Sequence, residues 1–547
     1  MSANRLDLKA AHSTDEVQGI SSSLPNEQPK SRSRRNTMSD GERERILVEQ
    51  SLQSAADPDE FDPSALPPAP ASTVLGSFFN MSNAIVGAGL IGLPFAFKEA
   101  GLFSGAILLL LLAYVTDWTL RLLAYATKLS GRNSYQELVC FCFGRVGFHA
   151  ISIFQFIFAF GGMCAFNVII GDTFPHVVRS LFPAIANSPV LMTLTSRQAF
   201  IIFITLFISF PLSLYRDMSK LAKTSALALL AMSVIVIAVV IEAPKVTPDQ
   251  RGSSEGKWDF IRPDIFQAIG VMSFAFVCHH NSFMIFSSLK KPTLNRYSRV
   301  IHLSTTLSAA VCLLLASVGY LNFTDKTRGN ILNNFPDNNL LINIARFCFG
   351  FNMITTFPME TFVAREVVEG YVAYYGNHGP KDSTKAGEGG VYYPLDTVVH
   401  AEHHMTDLHL NDTPTTDASY SSTSTVNAHE SQGDWAAHDT VGSPVAPFSL
   451  VRHVVVTAVM TLVTLVIALS VCDLGIVIEL TGGISATALA FILPAGCHLK
   501  LSSGPRFTWS KLPLWALVVF GMCVLVLSPA LTITRYMNLD PSEKQVC

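Results

Sequence analysis

The sequence predicts an all-α polytopic membrane protein with about eleven transmembrane helices. Three observations predict it. Of 547 residues, 49% are hydrophobic and only 14% are charged, where soluble domains carry about 25% charged residues. The apolar residues gather in runs long enough to cross a bilayer, which takes about 20 of them in a helix. The runs do not alternate apolar and polar positions as membrane strands do.

The runs lie near 73–97, 102–127, 150–172, 199–215, 221–242, 262–288, 299–322, 339–364, 449–472, 474–499 and 512–535. The fourth is short, and the first, sixth and tenth contain breaks. In the first, Asn80 to Pro94 reads NMSNAIVGAGLIGLP, with Gly87, Gly89 and Gly92 in one hydrophobic stretch. In the sixth, Cys278-His279-His280-Asn281-Ser282 interrupts an otherwise greasy sequence. Unpaired backbone groups cost several kcal/mol each in hydrocarbon, so a broken helix survives only where it lines a protected cavity. Paired breaks in corresponding places of two halves point to the binding site of a secondary transporter.

The spacing of the breaks sets the architecture. They fall five spans apart, and five is odd, so a second five-helix unit enters the membrane in the opposite sense. That is an inverted 5+5 repeat, with one extra helix appended.

The polar segments divide the chain further. Residues 1–70 form a cytosolic tail and 71–367 hold helices one to eight. Residues 368–447 form a polar cytosolic insert, 448–536 hold helices nine to eleven, and 537–547 are a C-terminal tail. The tail and the insert lack the apolar content to bury a core and are expected to be disordered. Ser31 to Ser39, SRSRRNTMS, resembles a basic-directed phosphorylation site, beside the plainer reading of a solvated tail. His400, His403, His404 and His409 are spaced irregularly and read as polar filler rather than metal ligands. No metal site is expected. Ten cysteines lie mostly in or beside spans without metal-ligand spacing, and no structural disulfide is expected.

Lys and Arg accumulate in cytosolic loops. With a cytosolic N-terminus the inner loops hold Lys128, Arg132 and Arg145, then Lys290, Lys291, Arg296 and Arg299, with more after the tenth run. The longer outer loops hold fewer. After eleven spans the C-terminus falls on the far side. The net charge of −3 says little where the charges are confined to loops, and no nucleic-acid partner is expected. The lipid bilayer is the partner the composition requires, and the oligomeric state is not legible.

The breaks carry the chemistry. Free N–H groups at Gly87, Ala88 and Gly89, at the start of a half-helix, suit a carboxylate. Freed carbonyls with Ser82 and Asn83 suit a small cation or an ammonium group, although small residues also serve plain helix packing. Cys278, His279, His280 and Asn281 supply the opposing wall. His279 and His280 suit either a coupling proton or hydrogen bonds to freed backbone. Glu479, before Thr481-Gly482-Gly483, suits a proton carrier or a paired structural charge. Glu360 and Asp117 lie nearer helix ends and read as structural. No nucleophile elbow, phosphate loop or zinc signature is present, and no enzymatic reaction is implied.

Several stretches carry a resemblance. FNMSNAIVGAGLIGLPFAFKEAG at Phe79–Gly101 resembles the first helix of the amino acid/auxin permease superfamily. Within it the chain is similar to the sodium-coupled neutral amino acid transporter branch and to fungal vacuolar amino acid transporters. GDT at Gly171, PLSLYRDMSKLAKTS at Pro211, GVMSFAFVCHHNSF at Gly270, FPMETFVARE at Phe357 and DLGIVIELTGG at Asp473 extend it in order. The resemblance implies an eleven-helix protein of the bacterial leucine-transporter fold that moves amino acids, neutral ones being expected, by alternating access. It implies an ion site built by Asn83 and by Thr356 or Thr355, with protons and sodium both open and no other cofactor. The insert at 368–447 and the short, cysteine-free outer loops depart from sodium-coupled members. The long Ser-rich segments look fungal and point to the vacuolar membrane, with the plasma membrane as alternative. A competing reading is an amino-acid sensor that signals through its cytosolic segments.

Overall fold

The computed structural model describes residues 72–377 and 450–538, apart from 133, 216–224, 255, 291, 503 and 506. The tail at 1–70, the Ser31–Ser39 stretch and nearly all of the insert lie outside the described residues. Among the described residues the fold is helical, without a strand, and one isolated parallel bridge joins Ser72 to Leu289.

The helical elements follow the apolar runs. α1 is a bent pair, Val74–Ile85 and Ala88–Ala100, whose halves meet at 41°. α2 is Leu102–Ser130, α3 Tyr135–Leu181, α4 Arg197–Ser213 and α5 Ser225–Lys245. α6 is Ile265–Ser288 and α7 Leu294–Lys326. α8 is Leu340–Asn377, α9 Leu450–Ser470, α10 Leu474–Leu501 and α11 Trp509–Asn538. Among the described residues nine helices are long and apolar enough to cross a membrane, ten with the bent pair counted as one, and α4 is a shorter apolar helix.

Several boundaries differ from expectation. α3 begins at Tyr135 rather than near 150, because Ser134 caps a leading segment that bends at Gly144. Gly144 sits at φ 62°, ψ −143°, a conformation that glycine reaches without a Cβ clash. α8 runs on to Asn377, past the expected start of the insert at 368. The tenth run is wound as two π-helical turns, Gly482–Ala486 and Ala488–Ile492, rather than broken. Cys472 is disulfide-bonded, against expectation. It stands before α10, on the side opposite the cytosol in the expected topology, where a disulfide can persist.

Burial separates inner from outer helices. In their most apolar stretches α6 is 83% buried and α10 78%, against 28% for α11 and 33% for α5. Outer helices turn apolar side chains such as Phe203, Leu227 and Val519 outward, as a hydrocarbon solvent demands. α6 and α10 therefore occupy the centre, with α3 packed along α8, and α7 along α1 and α2.

Candidate functional site

The site grows from the two interruptions. Thr73 caps α1, its hydroxyl accepting from the Gly76 amide at 3.1 Å. The helix then runs to Ile85, where Gly87 leaves helical geometry at φ −108°, ψ −144°. The Gly87 amide donates to the Ile85 carbonyl, so Asn83's carbonyl loses the donor it would have in a continued helix. Ala88 and Gly89 open the next segment, where the first N–H groups of a helix have no partner within it. Pro94, near the start of the trailing α-helix, forfeits nothing there, because that N–H would be unpaired anyway.

In α6 the break falls at Val277 and Cys278, after Phe276. His279, His280, Asn281 and Ser282 belong to the restarted half-helix rather than to an unwound loop. The amide of Asn281 donates to the Cys278 carbonyl at 3.0 Å, closing its first turn.

The breaks lie against each other. Cys278 Sγ donates to Met81 Sδ at 3.5 Å. A Cβ on Gly89 would come within 2.5 Å of Ala275 Cα, so here the two backbones touch. Around Gly87 there is room, since a Cβ there would meet only the Asn83 carbonyl, at 3.8 Å. The adjacent glycines thus divide the work: Gly89 lets the helices cross, and Gly87 faces open space.

The helix ends are tied crosswise. At the start of α1 the Ser72 amide donates to Ser288 O at 2.6 Å, and Lys290 N donates to Ser72 O at 2.8 Å. At the end of α1, Arg262, just ahead of α6, donates its amide to Ala100 O and Nη1 to Lys98 O, at 3.0 and 2.9 Å. Each broken helix is pinned at both ends to the other, running antiparallel to it.

Buried polar atoms collect at the crossing without a hydrogen-bond partner among the described residues: Ser82 Oγ, Asn83 Oδ1, Ser273 Oγ, His279 Nδ1 and both ring nitrogens of His280. Buried polar groups in folded proteins are nearly always satisfied, so such a group of orphans marks a place for a polar solute. The two histidines part company. His279 is fully buried, with Nε2 at 2.9 Å from Thr119 Oγ1 of α2. That hydroxyl already donates to Val115 O at 2.8 Å, so the bond implies that His279 donates and keeps Nδ1 as an acceptor. His280 turns the other way, against the Phe158 ring at 4.9 Å between centroids.

Phe158, on α3, is a site residue that sequence reasoning missed. It also contacts Phe274 at 5.5 Å, so one ring spans the break in α6. Nearby on α3, Gly161 admits Thr481 of α10 and Gly162 faces Glu360 of α8. The Gly161-Gly162 pair in an apolar run was the available signal.

Other expected site residues stand apart. Thr355 and Thr356 both donate to the Asn352 carbonyl, at 2.9 and 2.8 Å, and no hydrogen bond joins either to Asn83. Glu479 is held by Arg535 and Thr532. Asn281 lies one helical turn beyond the break.

The transmembrane amino acid transporter protein family matches residues 70–534, which take in α1 to α10 and most of α11. The chain belongs to that family. Vacuolar amino acid transporter 2 of Saccharomyces cerevisiae is 34% identical over 477 residues, covering 87% of this chain and 86% of that protein. A Danio rerio protein provisionally named sodium-coupled neutral amino acid transporter 11 is 35% identical, covering 83% of this chain and 85% of that protein. Among solved structures, an Eremococcus coleocola manganese transporter mutant is similar over 86% of this chain and 89% of its own, at 12% identity and a TM-score of 0.46. As a member of the transmembrane amino acid transporter family, the chain is a multi-pass membrane protein and a transporter rather than an enzyme.

Proposed function

We propose that this transporter carries neutral amino acids by alternating access around the crossing of α1 and α6, coupled to a proton or sodium gradient. The observation that carries the reading is the group of orphaned polar atoms at two abutting helix breaks. The amides of Gly87, Ala88 and Gly89 would hold the substrate carboxylate at a positive helix end. Gly87 and Ala88 have the better claim, because Gly89 is pressed onto Ala275. Asn83, Ser82 and the wall formed by Cys278 and His280 would meet the ammonium and side chain, with His279 turned to α2 and Asn281 one turn beyond. Thr355 and Thr356 keep oxygen lone pairs for a cation, and an ion site with Asn83 would assemble only when α1 swings toward α8.

All eleven elements span the membrane in this reading, as two inverted five-helix units with α11 appended. The reciprocal end contacts of α1 and α6 support it, since a two-fold between the units exchanges those ends. The N-terminus would be cytosolic, and the likeness to a protein named a vacuolar transporter favours the vacuolar membrane over the plasma membrane.

The test is uptake of a radiolabelled amino-acid panel into proteoliposomes, with proton and sodium gradients imposed separately. Flux driven by one gradient supports the reading and names the ion. Saturable binding without flux would overturn it in favour of a sensor.

A further inference from the structure

Away from the crossing, the far end of α1 holds an arrangement of charge that the substrate site does not use. Glu99 closes α1, Glu479 lies in α10 and Arg535 in the last turns of α11. Both carboxylates are buried, at 3% and 0% exposure. One guanidinium serves both: Arg535 Nη1 donates to Glu99 Oε1, while Nη2 donates to Glu479 Oε1 and Oε2 at 2.7 and 2.9 Å. Thr532 Oγ1 adds a bond to Glu479 Oε2 at 2.8 Å. Glu479 is thereby fully satisfied. Glu99 is not: no donor reaches its buried Oε2 among the described residues, and its carboxyl lies within hydrogen-bonding reach of the Glu479 carboxyl.

The charge does not balance within this cluster. Two carboxylates face one cation, and an excess buried charge costs several kcal/mol even after relaxation. The surrounding charges do not supply the missing cation at Glu99 Oε2. Lys98, the neighbour on α1, directs its Nζ to Thr327 O at 3.3 Å and lies over the Phe95 ring. Arg262, ahead of α6, is bonded to Asp259 and to the carbonyls of Lys98 and Gly256. Asp264, at the start of α6, accepts from Gln267, and Asp473, at the start of α10, caps Gly475. Asp325, at the end of α7, is bonded to Ser253 and Thr324, and Asp172 of α3 is paired with Arg197.

A cavity lies beside the cluster, lined by its sequence neighbours and not by the three residues themselves. It is polar, with a volume of about 270 Å³, and Phe95, Lys98, Asp473, Ile476 and Tyr536 are among the residues that line it. The Arg535 side chain is 30% exposed.

We propose that Glu99, Glu479 and Arg535 form a proton-binding site. A proton entering from that cavity adds to the free oxygen of Glu99, making a neutral carboxyl group. Arg535 then pairs with Glu479 alone, and the trailing half of α1 loses its ionic tie to α11. Because that half-helix begins at the substrate amides, proton occupancy at its far end is coupled to opening of the site. This rests on the transport reading and deepens it: it names the proton as the coupling ion and Glu99 as its acceptor.

The test begins without transport. Purified full-length wild type, E99Q and E99D are titrated between about pH 4 and 8, following the infrared carboxyl C=O band. A buried-carboxyl band is expected in wild type, reduced in E99Q by the share of one group while other buried carboxyls such as Glu360 keep theirs, and retained with a shifted midpoint in E99D. An unchanged band in E99Q overturns the proposal. In proteoliposomes, a pH gradient should accelerate amino-acid uptake by wild type about tenfold and by E99Q less than twofold. Equal stimulation of both also overturns it. If wild type moves no amino acid, the transport reading fails, while the infrared result still decides whether Glu99 binds the proton.

Discussion

Gly89 meets Ala275 backbone to backbone: a Cβ on the glycine would stand 2.5 Å from Ala275 Cα. The two broken helices cross at this contact, and its closeness requires a residue without a side chain. Gly89→Ala is expected to force the helices apart, at about 1–3 kcal/mol for overpacking. The check is thermal stability of the purified protein. An unchanged melting temperature would mean the crossing is looser than described.

Gly87, two residues earlier, has space around it, so Gly87→Leu tests the site rather than the fold. Membrane insertion and melting temperature should hold while amino-acid uptake is lost. Uptake at the full rate would remove Gly87 from the substrate site.

Thr119 fixes His279 from α2 at 2.9 Å. Thr119→Val keeps the shape but strands a buried Nε2–H, costing about 1–3 kcal/mol. The same variant should leave substrate preference alone, because His279 faces α2. Changed selectivity at wild-type stability would place His279 against the substrate instead.

Phe158 spans the break in α6 between Phe274 and His280. Phe158→Leu roughly preserves volume and loses aromatic contacts worth about 0.5–1.5 kcal/mol. An increase in KM of about two- to tenfold, differing among substrates, is expected from uptake kinetics. A uniform fall in kcat with KM unchanged would argue that Phe158 acts only in packing.

Orientation has its own test. Asn411, in the sequon Asn411-Asp412-Thr413, lies in the expected cytosolic insert and should escape glycosylation. A glycosidase-sensitive mass shift, abolished by Asn411→Gln, would reverse the topology.

The sequence by itself determined the helical membrane class, the places of the apolar runs, the two interruptions and the family. Hydrocarbon imposes these locally: it demands apolar runs of fixed length and penalises any break that is not sheltered. Only the tertiary structure decided what each residue at a break does. Gly87 and Gly89 are alike as letters, and they parted when α6 came to rest on one and not the other. His279 and His280 are neighbours, yet packing gave one to α2 and the other to α3. Phe158 was invisible because one Phe among 37 carries no mark of the partners it will meet. Glu479 was left between a proton carrier and a paired structural charge because Glu99 and Arg535 lie 380 residues before it and 56 after it. Charge pairing acts through space, and chain separation gives no measure of that distance until the helices have packed.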